Sequence, residues 1–494
     1  MRNEVLRLEK VTLRERGVTQ LDNLNLHIFE GEILGLVPID THGLTALCDL
    51  LRENLPLHYG YVFYREKLIN TWRSPQPHYN RISIIQAKSC LVDGLSVADN
   101  IFVLRPGFRG RLMRPAAFRR QLAPFIRSVG IPIDADARVE DLSVFERFVV
   151  ELLKAVVAGS RLIVLNEIST LINEAELGKL HAILRHYAAE GISFLYVCFH
   201  FEELLQISDR TAVMMQGRVV KLLEGEEMIP QSLLPYSAAY EQMVASQLAR
   251  GAHPIGGEVF SALLPDAAAG GLRFSVRAGE CLVLQDLDNH FIDGFLGVLS
   301  GAHPAPGTGL LLCGRPFRRL AVIQDQPGRT MVFPGLNYLE NLCFTMDHRM
   351  KALWRSGRVK RGLRRAYAEW LGEDLLDRRV EDLTEAERCE LVYRRILLQR
   401  PDVVFCVQPF RMADVALRMS IWRLLEELLD RGVAVVILAV NLADSLSLAD
   451  RLIRVRHGQP QEAFDRVRFS ELPADAPWRS LYRAVPGHQK EELP

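Results

Sequence analysis

The chain repeats itself. Arg-Val-Glu-Asp-Leu-Ser begins at Arg138 and Arg-Val-Glu-Asp-Leu-Thr at Arg379, an offset of 241 (379 − 138). The same offset carries Asp209-Arg210 onto Asp450-Arg451, Asp99-Asn100-Ile101 onto Glu340-Asn341-Leu342, and the apolar run ending at Glu167 onto the one ending at Gln408. Gly31-Glu32 meets Gly279-Glu280 at 248, so the copies differ by a few loop residues near their starts. Self-similarity over so long a period means two copies of one domain. The length of 494 residues by itself suggests two or three domains, since a single core stops growing near ~250–300 residues. The copies read as 1–222 and 257–465, with a linker over 223–256 and a tail over 466–494.

Within a copy the pattern changes along the chain. LDNLNLHIF and GEILGLV alternate or run apolar over strand lengths, RPAAFRRQLAPFIRSVG and VFERFVVELLKAVVAG carry apolar residues at helical spacing, and RLIVLN and ISFLYVCF are short apolar runs of the parallel-sheet type. This predicts an α/β domain with a helical insert. Lys plus Arg and Asp plus Glu number 60 each, which gives no global pull toward nucleic acid or anionic lipid. The eight cysteines have no paired spacing and read as buried thiols of a reducing cytosol, not as a metal site or a disulfide frame. No apolar run reaches the roughly eighteen residues of a membrane span, so the expectation is a soluble, intracellular chain.

The order GEILGLV, LVDGLSVADNIFV, ARVEDLS before a helix, RLIVLNE and HFEELLQISDRTAVMMQGRVV resembles an ATP-binding cassette. The two fused copies resemble the tandem ATPase subunits of bacterial sugar importers of the ribose and galactose type over nearly the whole chain. The resemblance implies two tandem ABC-type, P-loop-like α/β nucleotide-binding domains, each with a helical insert, that pair within one chain and hold ATP and Mg²⁺ between them. Such a loop, G-x-x-x-x-G-K-[ST], wraps N–H groups around phosphate, places a Lys on the β and γ oxygens and binds magnesium through its Ser or Thr.

Measured against that pattern the first copy departs at most positions aimed at phosphate. Pro38 removes an N–H donor, Leu44 stands where the lysine belongs, and only Gly43 and Thr45 still fit, Thr45 as the residual magnesium ligand. Asn166 replaces the Asp of the magnesium shell, while Glu167 remains at the general base and His200 at the switch histidine. Ser143 is what is left of the signature loop, followed by Val144 and Phe145 where glycines would let the backbone approach phosphate. Glu15 takes the place of the aromatic residue that stacks on adenine, and Ala87 the Q-loop position. In the second copy Asp286, Asp288 and Asp293 crowd the phosphate loop, Val407 and Gln408 replace the Asp-Glu pair, and Glu385 and Glu387 stand in the signature, set against the phosphates of the first copy's site.

Two outcomes follow from the resemblance. One is a pseudo-ATPase that binds ATP and magnesium weakly or not at all and docks on a membrane permease or sensor protein at the inner face of the membrane, with no nucleic-acid partner. The other is a weakly active subunit of a carbohydrate importer working through Thr45, Glu167 and His200 of the first copy. A basic run in the second insert, Lys351 to Arg365, is a candidate partner contact or a solvated helix face, and a similar arginine cluster, Arg105 to Arg120, precedes the first insert. A fused-cassette translation factor fits poorly, because the linker is short and not basic.

Overall fold

The short apolar runs become the middle strands of two six-stranded sheets. The computed structural model describes residues 3–73, 82–103, 115–236, 238, 242, 246, 253, 255–264, 272–300, 309–312, 320–344 and 356–472, with 16, 234, 290, 412, 443 and 457 excepted. It divides into two units, Met1–Ala238 and Ala239–Pro494.

In the first unit β1 (Glu4–Glu15), β2 (Val18–Phe29), β4 (Tyr59–Tyr64) and β5 (Lys67–Thr71) form an antiparallel sheet in the order β2-β1-β4-β5. The second sheet runs β10 (Arg218–Glu224), β9 (Arg210–Met215), β3 (Ile33–Pro38), β8 (Ser193–Val197), β7 (Leu162–Asn166), β6 (Ile82–Gln86). Its strands are parallel except for the edge strand β10. Helices α1 (Leu44–Arg52), α4 (Val144–Val157), α5 (Glu174–Ala189) and α6 (Phe201–Ile207) connect them, with α2 (Val97–Phe102) and α3 (Pro115–Val129) in the insert. All six residues of β3 are buried, as a strand covered on both faces requires.

The second unit repeats the plan. β11 (Glu258–Leu264), β12 (Leu272–Arg277) and β14 (Gly309–Leu312) form the antiparallel sheet. The other sheet runs β19 (Gln459–Asp465), β18 (Arg451–Arg456), β13 (Cys281–Asp286), β17 (Ala434–Ala439), β16 (Val403–Val407), β15 (Leu320–Ile323), the same order element for element.

The repeated motifs turn out to be joints. Asp209 accepts the N–H of Ile33, the first residue of β3, at 2.9 Å, and Arg210 clasps the buried Glu32 at 2.6 Å. In the second unit Asp450 accepts the N–H of Cys281, the first residue of β13, at 2.8 Å, and Arg451 lies 3.3 Å from Glu280. Asn100 and Asn341, both fully buried, each return two hydrogen bonds to a loop eight residues upstream, at Val92 and Phe333. Arg-Val-Glu-Asp-Leu is one turn of 3₁₀ helix with a buried valine, leading into a capping box: Ser143 with Glu146 and, 241 residues on, Thr384 with Glu387.

Among the cysteines, Cys48, Cys198, Cys281, Cys389 and Cys406 are buried as expected, but Cys90 is exposed and Cys343 half-buried. Cys90 sits in the loop after β6, where its N–H rather than its thiol is held, by Glu151 of α4 at 2.7 Å. Most of the linker's helical stretch, the arginines from 105 to 114, residues 351–355 and the tail beyond Leu472 lie outside the described residues. No helix among the described residues is long and apolar enough to cross a membrane.

The Asp450 joint has a pH signature. Burial pushes its carboxyl up, but His253, 3.0 Å away, together with the N–H groups of Cys281 and His253, outweighs that and holds it below the ordinary carboxylate value. A depressed carboxyl contributes stability that is present above the unfolded value of ~3.9 and lost as pH falls through the folded one. Asp450→Asn should therefore cost about 1.5–3 kcal/mol at pH 7 in urea unfolding, and the gap from the parent should shrink at pH 3. An unchanged midpoint at pH 7 would show that the joint contributes nothing.

Candidate functional site

The parallel register decides what can meet. Leu36 of β3 and Asn166 of β7 both lie beside Val197 of β8, and Gln86 of β6 lies beside Asn166. The carboxyl ends of these four strands therefore share one edge, where open α/β sheets take their ligands. The loop from Pro38 to Thr45, Asn166, Glu167 and His200 all belong to that edge. Ser143 does not: it begins α4 and lines a cleft of about 450 Å³ with Glu146, Lys179 and His186.

The loop after β3 is closed by its own chain. Ile39 N–H donates to Met214 at 2.8 Å, and Asp40 accepts from His42 N–H at 3.0 Å and from Gln216 N–H at 2.9 Å, so a carboxylate sits inside the loop. His42 Nε2 meets the carbonyl of Thr19 at 2.8 Å. Gly43 has φ 77°, and a Cβ there would lie 2.3 Å from the carbonyl of Gln20, so the position demands glycine for packing as well as for backbone conformation. Leu44 is 7% exposed and belongs to the apolar cluster of Leu34, Leu36, Leu47 and Leu51, whereas Thr45 is exposed on the first turn of α1. Asp40 escapes a reading from spacing. Its signal is the D-x-H turn, in which a short acid accepts the N–H two residues on.

Past β7, Asn166 is half-buried and its Oδ1 has no hydrogen-bond partner among the described residues. Glu167 is 1% exposed, has the left-handed φ of 57°, and accepts the N–H of Phe199 at 3.0 Å. His200 is 7% exposed, starts α6 and donates its N–H to Cys198 Sγ at 3.3 Å. Beneath it lies a buried group that the sequence did not single out. Glu203 accepts from Tyr196 and, at 3.3 Å, from the Cys198 thiol, with His181 3.9 Å away. Burial pushes Glu203 up, but His181 and Tyr196 hold it below the usual carboxylate range. The network ties α5, β8 and α6 together under His200.

Ser143 accepts Glu146 N–H at 3.2 Å while its own N–H is held by Glu146 at 2.9 Å, so its hydroxyl caps α4. Val144 is exposed and Phe145 is buried in the core. Glu387 is turned home in the same way, closing a capping box with Thr384 and meeting Arg378 at 3.0 Å, and Glu385 bridges Arg388 at 3.1 Å and Arg329 at 3.5 Å. Both carboxylates are committed within their own unit.

In the second unit Asp286, fully buried at the end of β13, accepts the N–H groups of Phe291 and Ile292 at 2.8 and 3.1 Å, the first turn of the helix Phe291–Leu299. Burial and the neighbouring Asp288 push its carboxyl up to about 6. Val407 is buried, and Gln408 keeps a left-handed φ of 41° with its N–H on Leu438 at 2.9 Å, the geometry of Glu167 without the acid. Among the described residues no group of three or more His, Cys, Asp or Glu is placed to hold a metal ion.

With this geometry in place, the comparisons with known proteins are specific. The ABC transporter family pattern matches residues 21–170. The chain is 26% identical over 487 residues to a ribose import ATP-binding protein of Rubrobacter xylanophilus, covering 94% of this chain and 97% of that one. It is 25% identical to a putative ribose/galactose/methyl galactoside import ATP-binding protein of Hahella chejuensis, covering 95% and 94%. Among solved structures, the complex of archaeal ribosomal stalk protein aP1 with archaeal ribosome recycling factor aABCE1 aligns over 92% of this chain and 90% of that one, with a TM-score of 0.57 and 13% identity, a likeness of fold.

The burial of Leu44 yields a test. Leu44→Lys, alone or with Asn166→Asp, puts an ammonium group among apolar side chains and should destabilise the first unit by about 2–4 kcal/mol in urea unfolding, without phosphate release. A stable double variant that hydrolyses ATP would mean that the loop can still open around a nucleotide.

Proposed function

We propose that this chain, a tandem ATP-binding cassette protein of the sugar-importer type, is a pseudo-ATPase that docks on a membrane permease or sensor protein. The observation that carries the reading is the first unit's loop, where Leu44 is packed into the core and the Asp40 carboxylate takes two N–H groups. Loss of the lysine removes a charge-assisted bond of roughly 1.5–3 kcal/mol, about ten- to a hundredfold in affinity. An internal carboxylate in the loop adds repulsion against any phosphate that enters. Pro38 has no N–H to offer, and the neutral Asn166 lacks the charge that a magnesium shell needs.

On this reading the second unit holds no nucleotide. Asp286 caps the helix start that would face phosphate, and Val407 and Gln408 offer neither a magnesium ligand nor a base. The protein then sits at the cytoplasmic face of the membrane as a peripheral subunit, its inserts available to the partner.

One observation favours the second reading, a weakly active subunit of a carbohydrate importer. Gly43, Thr45, Glu167 and His200 remain at the same sheet edge, and Glu167 keeps its left-handed backbone. The two readings part on turnover. The purified chain with millimolar Mg·ATP should release phosphate no faster than buffer, and its melting point should move little, since stabilisation by a ligand grows with its concentration relative to Kd. Sustained phosphate release, or a dissociation constant for ATP in the low micromolar range, would favour the working subunit.

A further inference from the structure

We propose that a cavity in the second unit binds a neutral polyhydroxylated molecule of about monosaccharide size. It lies at the carboxyl ends of β15 and β16, beside the helix Phe291–Leu299, the edge at which open α/β sheets take ligands. Its volume is about 190 Å³. One ordered water needs only ~10–15 Å³, and sites for drug-sized ligands run to ~300–1,000 Å³. The space suits a single sugar ring and is too small for a nucleoside triphosphate.

The lining is chemically distinctive. Ile292, Leu296 and Val407 give it an apolar side, as the C–H face of a sugar needs, and the opposing groups are polar and planar. The amides of Gln324 and Gln408 and the carboxylate of Asp293 make no side-chain hydrogen bond among the described residues, so donors and acceptors are both uncommitted. Arg411 gives one nitrogen to Asp325 at 2.8 Å, while its buried Nε has no partner among the described residues. Neighbouring hydroxyls, each both donor and acceptor, can satisfy amide, carboxylate and guanidinium together.

Charge selects against the alternatives. The two carboxylates outweigh the single guanidinium, which is already paired with Asp325. Two of the helix-start N–H groups that could attract an anion, those of Phe291 and Ile292, are taken by Asp286. A phosphorylated ligand would meet net negative charge.

The inference rests on the reading of the second unit as free of nucleotide, and the experiment separates the two. Saturation-transfer NMR on the full chain with millimolar D-ribose or D-xylose should show transfer to the sugar protons. Gln408→Leu and, as an independent variant at an exposed position, Gln324→Ala should each weaken the binding about tenfold through lost hydrogen bonds. Ribose 5-phosphate should give no signal. Absence of transfer to both pentoses, or transfer that survives both substitutions, would overturn the proposal. Transfer to Mg·ATP that Gln408→Leu abolishes would overturn it together with the nucleotide-free reading. Transfer to Mg·ATP that is lost only in Thr45→Val would count against the reading of the first unit alone, leaving the pentose result to decide the cavity.

Discussion

Each six-stranded sheet hangs on a carboxylate at the start of a central strand. Asp209 holds the first N–H of β3 and Asp450 the first N–H of β13, and beside each an arginine meets the glutamate that precedes the strand. A charge-assisted bond of this kind contributes about 1.5–3 kcal/mol, and a buried ion pair is favourable only where its remaining lone pairs are also satisfied. Each glutamate has a further partner: Glu32 also accepts the N–H of Phe29 at 2.7 Å, and Glu280 that of Arg277 at 2.7 Å, though Arg451 Nε, which faces Glu280, has no hydrogen-bond partner among the described residues. The strands so anchored carry partners on both sides, β8 and β9 for β3, β17 and β18 for β13. These joints sit at the amino ends of the strands. The ligand edge lies at the carboxyl ends, so residues there can change without loosening the sheet.

That separation explains what could be read from the sequence. The Asp-Arg pairs, the Asn of Asp-Asn-Ile and Arg-Val-Glu-Asp-Leu recur because each is a joint whose partners are fixed by the fold, and the capping boxes at Ser143 and Thr384 are local enough to be written in four residues. The ligand edge was only half legible. Leu44 could be seen to lack a charge, but its burial depends on β2, β3 and the rest of the core around it. Asp40 draws its meaning from Gln216, 176 residues away, and Gly43 from Gln20 and Gly217. Glu385 and Glu387 read as charges aimed outward, yet arginines of their own unit and a helix N-terminus hold them. Spacing says where a side chain starts and not what it turns toward.

The two units reach a similar end by different residues. In the first, an acid two places past β3 closes its loop onto the β9–β10 turn; in the second, the last residue of β13 is itself the acid and caps the helix that follows. The backbone at the opposite wall is shared instead, with Glu167 and Gln408 both left-handed. A non-glycine residue in that region costs of order 1–3 kcal/mol. In both units the N–H of the strained residue is taken by the neighbouring strand, Val197 or Leu438. The sheet imposes the turn whichever side chain stands there.

The shared strand order bears on how such a chain is made. β3 must wait for β8 and β9, more than 150 residues later, and β13 likewise for β17 and β18. Pairings of such long sequence separation form slowly, and two sheets of one topology offer each other plausible wrong partners, the usual hazard of duplicated domains. Synthesis from the amino terminus removes much of that hazard. β10 belongs to the first unit and follows β9 directly, so the first sheet has all its strands before any residue of β13 has been made. At ribosomal speeds of about 5–20 residues per second the second unit then takes on the order of 10–50 s to emerge. The first sheet can close in that interval, and the second is left with only its own strands to choose from.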